Sequence, residues 1–108
     1  MESETFNRIL ELARERKIVV SDHGYEKAEK LGILITDVIN SLAFAELIED
    51  YPEYWKGPSV LLLHFGDSDQ PVHAVWGIAA GTAEPAVLVT CYRPDAMRWS
   101  QDFRKRKT

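Results

Sequence analysis

The side chains that could do chemistry in this chain are three histidines, a tyrosine followed by an arginine, and a basic tail. His73 lies in PVHAV and Tyr92 closes VTCYRP, both stretches of mostly apolar residues. An imidazole titrates near neutrality and a phenol donates or relays a proton, so the two can serve as an acid–base pair. Arg93 follows Tyr92, and a guanidinium grips phosphate as a two-pronged fork. His23 stands at the start of a predicted helix, where anions are attracted. A base, an acid and a cation, with no metal, are what RNA cleavage by the ribose 2′-hydroxyl requires. The plainer reading of the same residues is structural. His23 is then a first-turn helix residue, and His73 with Tyr92 a cross-strand packing pair contributing about 0.2–1 kcal/mol. His64 and His73 on adjacent strands also suggest a metal pair, but the third ligand would have to be Asp67 or Asp69, and no metal or other cofactor is assigned.

The elements that must position these residues follow from periodicity. Phe6, Ile9, Leu10 and Ala13 recur at helical spacing and predict a helix over 3–16. Ile18-Val19-Val20 is a short extended piece. Ser21 caps a second helix that runs to about Leu31, and Gly32 stops it. Thr36 caps a third through Val38, Ile39 and Leu42. The period then changes. Ser59–Phe65, Val72–Ile78 and Ala86–Tyr92 read as strands separated by turn residues, and Leu47–Tyr51 as an edge strand ended by Pro52. The expected fold is α+β: two or three N-terminal helices on a three- to four-stranded antiparallel meander. The chain reads as one domain, 1–108, with helices over 3–45, the sheet over 47–93 and a basic helix or tail over 94–108.

Register decides which side chains share a face. Pairing Gly66 with Pro71 sets His64 opposite His73. Pairing Ile78 with Val87 sets Trp76 opposite Val89, Val75 opposite Thr90 and His73 opposite Tyr92. Leu61, Leu63, Phe65, Val72, Ala74, Trp76, Ile78, Val87, Val89 and Cys91 then face the helices. His64, His73, Thr90 and Tyr92 gather on the other, uncovered face. Trp99 and Phe103, four apart after Pro94, share one side of a helical turn; they anchor the C-terminal segment on the core or offer a base-stacking platform.

Composition bounds the function. The 108 residues are 45% apolar and 28% charged, which suits a single globular domain. No apolar run approaches the ~20 residues of a membrane span, and the acidic, amphipathic start is unlike a signal peptide. The lone Cys91 cannot form an internal disulfide or a CxxC zinc site, and with it goes an expectation of a cytoplasmic location. The net charge of −4 is unevenly spread. Residues 1–54 hold six basic and twelve acidic side chains, whereas residues 93–108 hold six basic and two acidic. Such a tail is a polyanion-binding end or a solvated one. With a pI near 5.3, any contact with RNA is confined to one patch. Glu46, Glu49, Asp50 and Glu53 around Tyr51, Tyr54 and Trp55 form an acidic aromatic segment that suits a basic partner or a solvated rim.

The order of motifs is familiar. Ser21-Asp22-His23, Gly32-Ile33, Glu49-Asp50-Tyr51-Pro52, Leu61 to Leu63, Pro71-Val72-His73-Ala74-Val75, Thr90-Cys91-Tyr92-Arg93-Pro94-Asp95 and Trp99 together resemble the bacterial family known as domain of unknown function 4258, over residues 21 to about 106. That family resembles in layout the small toxin nucleases of the RelE/ParE and barnase–colicin type. The resemblance implies helices on an antiparallel sheet, metal-independent RNA cleavage, and a cognate antitoxin-like protein as a partner beside RNA. It singles out His23, His73, Thr90 and Tyr92 as site positions. Lys27 and Leu31 stand where the family's helix carries Arg. The expected function is a RelE-like ribonuclease domain, with Lys27, Arg93, Arg98, Arg104 and Arg106 gripping RNA. The alternative is a non-catalytic protein- or nucleic-acid-binding module on the same scaffold.

Overall fold

A computed structural model describes residues 2–65 and 70–107 of the chain. Helix α1 (Glu4–Arg14) begins at Ser3, whose hydroxyl accepts the Phe6 N–H at 3.1 Å. Strand β1 (Ile18–Val20) leads into helix α2 (Asp22–Leu31). The Ser21 hydroxyl caps α2 by accepting the Gly24 N–H at 2.9 Å, and donates to the Val89 carbonyl at 2.8 Å. One side chain therefore both starts the helix and ties it to the sheet. Gly32 ends α2 in the left-handed region, at φ 68°, which a residue without a Cβ adopts at least cost. Helix α3 (Ile35–Ser41) starts after Leu34, without a side-chain cap and two residues earlier than a Thr36 cap would give, and runs into a 3-10 turn, Leu42–Phe44.

Strands β2 (Glu46–Tyr51), β3 (Ser59–Phe65), β4 (Pro71–Gly77) and β5 (Ala86–Tyr92) complete a sheet of order β1-β5-β4-β3-β2. The fold is α+β, but the sheet has five strands and is mixed rather than a three- to four-stranded antiparallel meander. Ile18-Val19-Val20 is extended as expected, but three residues are too short to show by period that they join the sheet. It becomes a strand because the outer edge of β5 would otherwise leave N–H and C=O groups unpaired, and it lies parallel there, Ile18 beside Ala86 and Val20 beside Leu88. The domain's first part is thus not purely helical.

The β3–β4 register differs by one residue from expectation. Phe65 pairs with Pro71, so His64 stands opposite Val72 and His73 opposite Leu63. The Gly66 partner assumed from sequence lies outside the described residues, as do Asp67 and Asp69. A one-residue slip exchanges the faces of an entire strand. The helix-covered face accordingly carries Val60, Leu62 and His64 with Val72, Ala74, Trp76, Ala86, Leu88 and Cys91. Ile9 and Leu12 of α1, Ala28 of α2 and Val38 of α3 close this core. Leu61, Leu63 and Phe65 belong to the opposite face. On β5, His73–Tyr92 and Val75–Thr90 pair as expected, but a bulge at Val89 shifts the rest, so Trp76 meets Leu88 and Gly77 meets Val87. Val87 and Val89 therefore line the opposite face and not the core.

That opposite face is covered at one end. Residues 94–107 form no helix; they make a strap of turns closed by an antiparallel bridge between Trp99 and Arg106. The Asp95 carboxylate accepts the Met97 N–H at 2.8 Å, and the Asp95 carbonyl accepts those of Arg98 and Trp99. The turn so made carries Trp99 inward, where it is 3% exposed. The anchoring role read for Trp99 is met, by a hairpin-like loop and on the face away from the helices.

Candidate functional site

The two central imidazoles do not share a site. His64 lies beneath the helices, 1% exposed. Trp76 can only donate, and its indole N–H reaches His64 Nε2 at 3.2 Å. His64 is therefore neutral with its proton on Nδ1, which lies 2.9 Å from the Ser41 hydroxyl; that hydroxyl donates on to the Val38 carbonyl at 3.1 Å. Burial lowers the His64 pKa to about 4. Such a group ties α3 to the sheet, at the base of a hollow of about 180 Å³ that Asp37, Ser41, Gln70 and Arg93 also line. Because His64 and His73 point to opposite sides of the sheet, they cannot hold one metal ion between them.

His73 is fully buried on the other face, under the strap. Its Nε2 lies 2.8 Å from the Phe103 carbonyl, which can only accept, so Nε2 carries a proton. Its Nδ1 lies 3.1 Å from the Tyr92 hydroxyl. Burial lowers the His73 pKa and favours the neutral ring, in which Nδ1 accepts from the Tyr92 phenol. Burial likewise raises the Tyr92 pKa. The Trp99 ring meets His73 edge-on, with centroids 4.4 Å apart, and Tyr92 does so at 5.3 Å. Phe103, whose carbonyl receives the His73 proton, has φ 60°, a strained value for a residue with a side chain. Both ring nitrogens of His73 are thus occupied within the protein. The ring is a pin that fastens the strap, and His73 and Tyr92 meet as expected but beneath that strap.

Beside this pin, opposite charges sew the strap to β2. The Arg106 guanidinium bonds Glu49 through two nitrogens, at 2.8 and 3.0 Å, and lies 4.7 Å above the Trp99 ring. This bond holds the Glu49 carboxyl below the usual carboxylate range and Arg106 above its own. Tyr51 donates to the same Glu49. Arg104 pairs with Glu46. Two of the five expected RNA-gripping cations are therefore committed to carboxylates. Sequence reading noted the acidic strand and the basic tail separately; their opposite signs were the available signal that one would lie on the other.

The remaining site residues fall in two places. Thr90 is half-buried on the face of His73 and Tyr92, one pair along opposite Val75. His23 and Lys27 belong to α2, in the helical layer that packs on β5, so His23 does not join the His73–Tyr92 pair in hydrogen bonding. Lys27 and Arg93 are both near enough to Cys91 to oppose the rise that burial imposes on its thiol pKa. Tyr92, Arg93, Asp95, Arg98, Trp99 and Arg106 line a depression of about 310 Å³ at the end of β5. Among the described residues neither Arg93 nor Arg98 makes an ion pair. This corner combines guanidinium groups, which hold phosphate, with the half-buried Tyr92 ring, while Trp99 is buried and Asp95 is its one carboxylate.

Fold and corner define the class: a small α+β domain with one sheet face under helices and the other partly under a C-terminal strap. Over residues 20–93 the sequence matches the family described as domain of unknown function 4258, and the chain belongs to that family. Neither the curated proteins nor the solved structures yield a match. Helix α1 and the strap lie outside the matched span.

Proposed function

We propose that this domain binds single-stranded RNA at the Tyr92–Arg93–Arg98–Trp99 corner and does not cleave it with its imidazoles. The observation that carries this is the presence, beside the half-buried Tyr92 ring, of two guanidinium groups that make no ion pair among the described residues, in a depression whose one carboxylate, Asp95, is engaged by the Met97 N–H. Arg93 and Arg98 take phosphate oxygens, while the half-buried Tyr92 supplies ring surface next to them and the buried Trp99 holds the turn that carries Arg98. Lys27, on the helix that packs on β5, extends the cationic end. The choice of binding over cleavage rests on His73, whose two nitrogens are both bonded and whose ring is out of solvent. A RelE-like layout, a bacterial origin, a cytoplasmic location and an antitoxin-like protein partner belong to the same proposal.

Incubating the purified chain with a labelled single-stranded RNA tests both halves. Binding at low salt is expected, with intact RNA recovered. RNA fragments made by the wild type and not by His73→Ala would restore the cleavage reading. Failure to bind at low salt would remove the binding one.

A further inference from the structure

The sheet face away from the helices has a second half that the strap does not reach. There Val75, Gly77, Val87 and Val89 floor a hollow of about 520 Å³, walled by Tyr51 and Tyr54 and by the loop that follows β2. The volume lies in the range of small-molecule sites. Its rim is built and not merely open. The Pro58 carbonyl accepts the Ile78 N–H at 3.1 Å, and the Lys56 carbonyl accepts the Ala80 N–H at 3.0 Å, so two loops are stapled together. That staple requires Gly57, whose φ is 131° and where a Cβ would lie 2.0 Å from the Ile78 carbonyl oxygen. The Ser59 hydroxyl is used internally, donating to the Gly57 carbonyl, and the Tyr51 hydroxyl donates to Glu49. Lys56 is the one charged side chain of the lining, and makes no ion pair among the described residues; its ammonium rests 5.1 Å over the Trp55 ring.

We infer that this hollow is a binding site for a small apolar acid, an aryl or medium-chain alkyl body carrying one carboxylate or sulfonate. The inference stands apart from the RNA reading and shares none of its cations. A nucleobase, polar along its edges, would find few partners here, whereas an apolar body loses water contact against the valines and tyrosines. A single anionic group then sits at the rim by Lys56, where the opposite charge and partial exposure favour it. Bulge and hollow are connected. The extra residue at Val89 turns that side chain, with Val87, onto this face, where sequence alternation had placed both in the core.

The probes are 8-anilino-1-naphthalenesulfonate, read by its own fluorescence, and decanoate as competitor, with the intact chain. One site per chain is expected, with decanoate displacing the dye and decyltrimethylammonium displacing it far less. Decanoate should shift the amide signals of Val75, Gly77, Val87 and Val89 and leave those of α2 in place. Lys56→Glu should weaken decanoate binding about tenfold, and Val87→Trp, which fills the hollow, should abolish it; both variants are first checked for a native-like melting transition. Should Val87→Trp disturb the fold, Val89→Trp serves in its place. Equal binding of the cationic and anionic amphiphiles, or affinity unchanged by Lys56→Glu, overturns the inference. So does sedimentation showing a dimer that Lys56→Glu or Val87→Trp dissociates, because the occupant would then be a second copy.

Discussion

At the scale of single residues, the histidines hold the protein together. His64 is kept neutral by burial and by an indole that can only donate to it. Its folded pKa of about 4 lies below the ordinary 6.5, so the unfolded chain binds the proton more readily. The stability His64 confers is complete above pH 6.5 and drains away as pH falls toward 4, by about 3 kcal/mol over that window. His73, also shifted downward, acts in the same direction, and Glu49 adds to it at the acid end. Chemical denaturation from pH 7 to pH 4 should therefore show a falling unfolding free energy. His64→Gln should flatten that fall and cost about 1–2 kcal/mol at pH 7, because Trp76 and Ser41 lose their matched partner. A profile as steep in the variant as in the wild type would show that His64 is not the group responsible. Residue types alone could not separate a pinned imidazole from a catalytic one. The sequence placed His73 opposite Tyr92 correctly, but what lies on Nε2 is a carbonyl thirty residues away, and no local pattern announces it.

At the scale of elements, two features decide the site: the β3–β4 register and the strap. The helices were legible because their signals are local. Ser21 and Gly32 mark both ends of α2, and apolar periodicity marks α1. The β3 strand was legible as an element, Ser59–Phe65, but its facing was not, because SVLLLHF is apolar on both faces and nearly all buried, so alternation gives no direction. The helices cover one face, and one end of the other, over His73, lies under the strap. Its anchor is Trp99, and a buried Trp reduced to Ala typically costs about 3–5 kcal/mol. Trp99→Ala should cost about 3 kcal/mol in denaturant and should increase amide exchange over 94–107 and at His73, with α1 and α2 still protected. Arg106→Ala removes an exposed pair with Glu49 and should cost about 1 kcal/mol or less. Uniform loss of protection throughout the sheet in Trp99→Ala would mean that the strap belongs to the global folding unit. Retained protection over 94–107 would mean that Trp99 is not its anchor.

Across the whole molecule, part of the charge pattern seen in the sequence is matched between the tail and the edge strand. An acidic edge strand receives a basic tail through Glu46–Arg104 and Glu49–Arg106, and that neutralisation is why a chain of net charge −4 still exposes a small cationic corner. Of the five cations expected to grip RNA, Lys27, Arg93 and Arg98 make no ion pair among the described residues, and Arg93 and Arg98 share the corner proposed to bind it. Binding of single-stranded RNA, followed by fluorescence anisotropy from low to moderate salt, tests this most directly. Each phosphate contact contributes about 0.7 to the slope of log affinity against log salt. The account predicts that Arg93→Ala/Arg98→Ala lowers that slope by about 1.4, while Arg104→Ala leaves it nearly unchanged. Equal slopes for the wild type and the double variant would contradict it.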